Sequence, residues 1–281
     1  MKRASAYRGY VLLAVLWLIV ALSLMVATLL QEVRQETRQA MIDKARLNAS
    51  AVAEAAIRLV LCDMVGDAST LSKGIVRKTV PVFDALVTLE IVPMNGYVDL
   101  NNAQPALLAD LFRYAGGLPA DAAAEIASRV VAYRATSDPK GQVRKFHGVE
   151  DLLRVNGVGY DLYARIEKLV TVNVNGQGRI NPLAAPEGIL AVLTQGDVVR
   201  AHQLAIARMA NPESVDTGPL TANLTETVST TYLEIRALGP VVEQVAYGVI
   251  WQVDLQTPAH GLSWQVISTK PYSVRVGPES L

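Results

Sequence analysis

The chain has 281 residues, with 26 lysines and arginines balanced by 26 aspartates and glutamates, and 51% of it is hydrophobic. Zero net charge supplies neither a basic field that gathers nucleic acid nor an acidic one that gathers cations, and the lone cysteine, Cys62, excludes an internal disulfide. The length suits one large or two smaller domains, and the apolar share suits a sizeable core plus a membrane segment.

Residues 1–9, MKRASAYRG, are polar and basic through Lys2, Arg3 and Arg8. From Tyr10 to Leu30 there is no charged residue, glycine or proline. That run matches the roughly 20 residues a helix needs to cross a bilayer, and the cations before it place the N-terminus in the cytoplasm and the bulk outside. No small-residue cleavage site of the secretory kind follows the run. The boundary lies before it, at Arg8-Gly9-Tyr10. A basic leader ending in glycine, then an aromatic residue and an apolar helix, is similar to a type IV prepilin signal. That resemblance implies a prepilin peptidase cutting after Gly9 and N-methylation of the new Tyr10 amine. The plain alternative is an uncleaved signal anchor.

Gln31 to Val65 again lacks glycine and proline. Val33, Ala40, Met41, Leu47, Val52, Ala55, Ala56, Leu59 and Val60 recur mostly three, four or seven apart with charges between, as on an amphipathic helix. The pattern predicts one helix from about Tyr10 to Met64, stopped near Gly66, whose outer half needs a sheet to cover it. Cys62 falls on this helix as a small apolar residue.

Residues 75–92 are β-branched and partly alternating, as a strand is. Residues 97–212 are helical in pattern. Residues 228–281 return to strands, STTYLEIRALG, EQVAYGVIWQVDL, SWQVIST and YSVRV, separated by Gly-Pro and Gly-Leu turns. Trp251 and Trp264 lie in these runs as core or sheet-face residues. Strands at both ends with helices between predict an α+β sheet domain carrying a helical insertion. The expected layout is a leader over 1–9, a transmembrane part over 10–30, the outer helix over 31–65, the sheet domain over 66–96 and 216–281, and the insertion over 97–215. The insertion holds a weak repeat: VDLNNAQPALLADL at 98–111 aligns with INPLAAPEGILAVL at 180–193. It therefore reads as two small helical units, 97–172 and 173–215.

DLLRVNGVGYDLYARI, residues 151–166, has the form of a helix-hairpin-helix, with Gly157 and Gly159 at the positive-φ positions of the hairpin. Such hairpins can grip DNA phosphates. Across 144–168, however, Arg144, Lys145, Arg154, Arg165 and Lys168 face Glu150, Asp151, Asp161 and Glu167. Phosphate affinity grows with each cation placed, so this near-neutral segment reads as a packing or protein-contact unit, and nucleic acid as an unlikely partner.

RGYVLLAVLWLIV, GYVDLNNAQPALLADL, FHGVEDLLRVNGVGYDLYARIEKLVTV and GRINPLAAPEGILAVL, in that order, resemble the minor pseudopilin K family of the type II secretion system, general secretion pathway protein K. The resemblance covers essentially the whole chain. It implies an α+β, type IV pilin-like fold, a long N-terminal helix packed on an antiparallel sheet. It further implies a large all-helical insertion of two SAM-like or helix-hairpin-helix subdomains. The implied partners are minor pseudopilins I and J, other pseudopilins, the prepilin peptidase, inner-membrane lipid and exported substrates. Most pilins carry a glutamate at the fifth mature position, where it neutralises a neighbour's amino terminus. Here that position is Ala14, which fits a subunit with nothing above it. The resemblance also implies a calcium-stabilised fold, for which Asp99, Asn101 and Asn102 are the oxygen-bearing candidates.

Other chemistry is thin. His147, His202 and His260 lack ligand-like spacing, and no nucleophile motif or nucleotide loop is present. The expected role is a non-enzymatic, membrane-inserted structural subunit. The rivals are a DNA-uptake pilus subunit and an anchored periplasmic enzyme.

Overall fold

The structure is a computed structural model that describes residues 4–66, 73–136, 145–172, 174, 178–210, 215, 217–218, 220–256 and 263–276, with residues 4–10 as backbone only. Helix α1 runs Ala4–Gly66, 63 residues, and spans about 95 Å at 1.5 Å per residue. It starts six residues before Tyr10, inside the basic leader, and runs through Gly9 without a break.

Only the outer third of α1 is covered. Ala49, Val52, Ala53, Ala56, Ile57, Val60, Leu61 and Met64 are buried and form one stripe at helical spacing. This stripe differs from the expected one. Val52, Ala56 and Val60 belong to it, whereas Val33, Met41, Leu47 and Leu59 stand 52% or more exposed. Ile57, Leu61 and Met64 join it, on the side of the helix away from the expected Ala55 and Leu59, together with two alanines. The small size of Ala49 and Ala53 lets the backbone of the helix approach the sheet. A Cβ at Gly239 would lie 2.3 Å from the Ala49 carbonyl oxygen, so glycine is required there.

The sheet has five antiparallel strands in the order β1-β2-β5-β6-β7: β1 Val76–Val82, β2 Ala85–Pro93, β5 Tyr232–Val242, β6 Val245–Asp254 and β7 Gln265–Arg275. Val87, Leu89, Ile91, Leu233, Ile235, Ala237, Val249, Trp251 and Val253 face α1, and Trp264 joins them in one core. Two loop expectations change. The single strand at 75–92 is a hairpin that turns at Phe83-Asp84. Gly239-Pro240 does not end a strand: β5 passes through it with a register shift between Leu238 and Val241, and the turn falls at Glu243-Gln244. Both hairpins turn on non-glycine residues at positive φ, Phe83 at +52° and Glu243 and Gln244 at +46° and +65°, which composition does not signal. SWQVIST and YSVRV are one strand through Pro271. Proline is tolerated because β7 is an edge, as β1 with Pro81 is. The expected Gly-Leu turn lies outside the described residues.

The insertion leaves from the end of β2 and returns at the start of β5. Its elements are β3 Val98–Asp99, α2 Pro105–Asp110, α3 Ala120–Ala135, α4 Tyr160–Ile166, β4 Val170–Thr171, α5 Glu187–Leu193 and α6 Val198–Ala210. The weak repeat has a structural counterpart. Val98 pairs in parallel with Val170, and Ile180 bridges in parallel to Thr225. The same offset of 82 carries the first residue of α2 onto that of α5. The matched pairs Ala103/Ala185, Leu107/Ile189, Leu108/Leu190 and Leu111/Leu193 are all buried. The two units share one apolar core, which reaches Leu220 and Leu224, beyond the expected end at 215.

Ile57→Ala empties a fully buried site between helix and sheet and is expected to destabilise the chain by about 2–5 kcal/mol. Leu59→Ala, two residues away but 52% exposed, is expected to change stability by no more than about 0.5 kcal/mol. Denaturant unfolding in detergent checks both, and equal losses would mean that the buried face of α1 is misassigned.

Candidate functional site

The first candidate is the inner part of α1. Residues 11–30, Ala14 among them, are all exposed. The most apolar 18-residue window of this helix has mean hydropathy 2.7 and buries nothing within the chain. By length and composition it can cross a membrane as a single-pass anchor, and water cannot be its solvent over so long an apolar surface. Gly9 and Tyr10 lie within the helical backbone of the same element.

Past the anchor, residues 31–48 expose charged and apolar side chains alike, and two links tie them to the sheet. Arg38 pairs with Glu243 at 3.0 Å, and the Arg46 guanidinium lies 5.2 Å from the centre of the Tyr247 ring. Pairs this exposed contribute little stability. This segment therefore offers a helix surface that its own domain leaves uncovered.

Asp99, Asn101 and Asn102 come together as a hydrogen-bonded knot at the start of the insertion. Asp99 Oδ1 accepts from the Asn101 amide at 2.9 Å, and Oδ2 accepts from Asn102 Nδ2 at 2.6 Å. Asn101 Oδ1 accepts from the Phe146 amide, while its Nδ2 donates to the carbonyls of Phe146 and Val172. Arg134 donates to the carbonyls of Leu100 and Ala103. Burial pushes the Asp99 carboxyl above its usual range, against the hydrogen bonds from Asn102 and Asn101 that pull it down. The side-chain oxygens of Asp99 and Asn101 already accept from this protein's own donors, so the trio does not fit a calcium ligand set. Among the described residues no group of three or more His, Cys, Asp or Glu side chains could hold a metal ion.

The segment 151–166 packs into the insertion through buried Leu152, Val155, Val158, Leu162 and Ile166, while Tyr160 stands exposed. Its first helix is a short 3-10 turn, Val149–Arg154, followed by α4. Gly157 has φ +93°, as expected. Gly159 does not: its φ of −92° and ψ of 169° make it the extended residue preceding α4, a conformation open to other residues. Arg129 of α3 donates to the Asn156 carbonyl at 2.9 Å, Arg165 to the Gly116 carbonyl at 2.9 Å, and Arg154 pairs with Asp151 at 3.1 Å. Arg129 and Arg165 thus serve carbonyls of the insertion itself, and Arg154, although 70% exposed, is matched by a carboxylate of its own turn.

The junction of insertion and sheet was not foreseen. Tyr97, just before β3, accepts from Arg236 at 2.9 Å, and Arg236 also reaches Glu234 at 2.7 Å and Glu90 at 3.2 Å. Gln252 and Arg77 complete the set at 3.0 Å each, on Glu234 and Glu90. Burial and the Glu234 charge push the Tyr97 hydroxyl well above its usual range. Burial alone would lower Arg236, but Tyr97 and Glu234 outweigh it and hold that cation above its usual range. Asn95 and Asn181 bind the Val228 carbonyl close by. The sequence shows that Glu234 and Arg236 share a strand face, but their partner lies far away along the chain.

No protein-family model matches this chain, and no curated protein matches it. Among solved structures, it is similar to a chain of the GspK-GspI-GspJ complex from the type 2 secretion system of enterotoxigenic Escherichia coli. The TM-score is 0.50 at 16% identity, over 84% of this chain and 99% of that one. At that identity the likeness is one of fold. The long N-terminal helix on an antiparallel sheet is a pilin-like fold.

Asn101→Ala would strand the Phe146 amide and is expected to cost about 1–3 kcal/mol. Because the carboxyl of Asp99 is raised in the folded state, its contribution to stability is fully present below its ordinary value of 3.8 and is lost as pH rises through the raised one. Unfolding of the wild type and Asp99→Asn between pH 3 and 7 should therefore converge toward acid, with only the wild type showing this loss.

Proposed function

We propose that the chain is a minor pseudopilin of a type II protein secretion system, a non-enzymatic subunit that caps the pseudopilus tip and helps to initiate its assembly for protein export across the outer membrane. It is made as a precursor, cut after Gly9 by a prepilin peptidase and methylated on Tyr10. It sits in the inner membrane with its N-terminus cytoplasmic and its bulk periplasmic. Its partners are pseudopilins, foremost the minor ones I and J, and the exported protein meets the assembled tip.

One observation carries this reading: an anchor-length apolar helix continues without a break into a pilin-like sheet, and a bulky helical unit leaves that sheet at the end farthest from the anchor. A subunit stacked above would have to occupy the space of that unit. Ala14 supports the same position, because an unpartnered carboxylate within the bilayer costs roughly 2.5–3.5 kcal/mol. The DNA-uptake alternative would need a net basic surface around the hairpin, whereas exposed Lys145, Arg154, Arg165 and Lys168 stand among Glu150, Asp161 and Glu167.

The test is the intact mass of the N-terminal peptide from membranes with and without the peptidase. A peptide beginning at Tyr10 only when the peptidase is present is the expected result. A chain still starting at Met1, or cut beyond the apolar run, would remove the pilin-like reading.

A further inference from the structure

Among the described residues of the sheet domain five large apolar side chains stand exposed, and three of them lie toward one end. Phe83 is 89% exposed, Leu86 74% and Val241 42%. Val87 and Leu89 face α1, so by strand alternation Leu86 stands on the opposite face. Val241 pairs with Ala246, and Tyr247 next to it lies under Arg46 of α1, so Val241 stands on that opposite face too.

Turn chemistry does not explain Phe83. Its φ of +52° belongs to the left-handed region, which suits glycine or asparagine in a two-residue hairpin and is unfavourable for a bulky side chain. The neighbouring hairpin meets a similar demand with polar Glu243 and Gln244, and Glu243 is tied to Arg38. An aromatic residue held in that backbone with almost its whole surface in solvent is a contact waiting for a partner.

The direction of the tip limits what that partner is. Glu243 meets Arg38 and Trp251 meets Arg58, so the hairpin tips point toward the anchor end of α1. Gly239 lies against Ala49, about 28 Å along the helix from Leu30. Its neighbour Leu238 pairs with Thr88, five residues or about 16 Å from Phe83 along the strand. Phe83 thus hangs roughly 12–15 Å above the end of the apolar run, beyond a headgroup layer of about 5–8 Å. Lipid is out of reach for an upright helix. The other end of the same face is taken by the insertion, through Tyr97 on Arg236.

We infer that Phe83, with Leu86 and Val241, is the surface by which this subunit rests on the sheet domain of a second pilin-like subunit anchored in the same membrane. The inference rests on the pseudopilin reading and adds the contact to it. The insertion closes the far end and the apolar tip opens the near end, which gives the subunit one direction of stacking.

The test places the photo-crosslinker p-benzoylphenylalanine at position 83 and, separately, at position 41 of the exposed α1 surface, in the full chain in its native membranes with its secretion system expressed. Position 83 should crosslink to the sheet domain of a pilin-like subunit, and position 41 to such a subunit's N-terminal helix. Phe83→Asn, which suits the positive φ, should raise the thermal midpoint of the purified chain yet reduce recovery of that subunit at least about tenfold, as loss of an aromatic anchor does. Crosslinks from 41 with none from 83, crosslinks from 83 to lipid, or unchanged recovery with Phe83→Asn would overturn the inference and leave the pseudopilin reading standing. No subunit crosslink from either position would overturn both.

Discussion

Everything in this molecule depends on how little of α1 its own chain can cover. The helix is 63 residues long, and its buried stripe extends only from Ala49 to Met64. The rest must find its environment elsewhere. Residues 11–30 carry no charge and match the hydrocarbon thickness of a bilayer. Residues 31–48 carry charge and apolar groups in alternation, which fits neither lipid nor permanent exposure and suits contact with other helices.

The covered third is held by closeness rather than bulk. Ala49, Ala53 and Ala56 leave room for the sheet to meet the helix backbone, and Gly239 removes the last obstacle. Larger side chains, Ile57, Leu61 and Trp251, then fill the core on either side. The Tyr97–Arg236–Glu234–Glu90 cluster fixes the insertion to the opposite face of the same sheet. Helix, sheet and insertion are therefore layered through one strand, β5, which presents Ile235 to the helix and Arg236 to the insertion.

Long periodic elements were legible in the sequence, and turns and junctions were not. The break-free run through α1, the strand character of both ends and the repeat at 98 and 180 carried the fold, because hydrophobic spacing reports burial directly. The hairpin at Phe83 was missed because no glycine or asparagine marks it. The Gly239-Pro240 bulge was read as a turn because both residues usually end strands. Gly159 was taken for a positive-φ residue by its place in a motif, although the chain there is extended. Asp99, Asn101 and Asn102 were selected for their oxygens, but the Asp99 and Asn101 oxygens accept from the protein's own N–H groups and Asn102 takes part by donating its Nδ2. The Arg236 cluster joins residues too distant in sequence for any local pattern to reveal.

Amide hydrogen exchange along α1, read for the single subunit in lipid nanodiscs and again in the assembled complex, tests the central claim most directly. The account predicts slow exchange at 11–30 and 49–64 in both states, held by lipid and by sheet, and fast exchange at 31–48 that slows only on assembly. Protection of 31–48 in the single subunit equal to that of 49–64, or fast exchange at 11–30 in lipid, would contradict it.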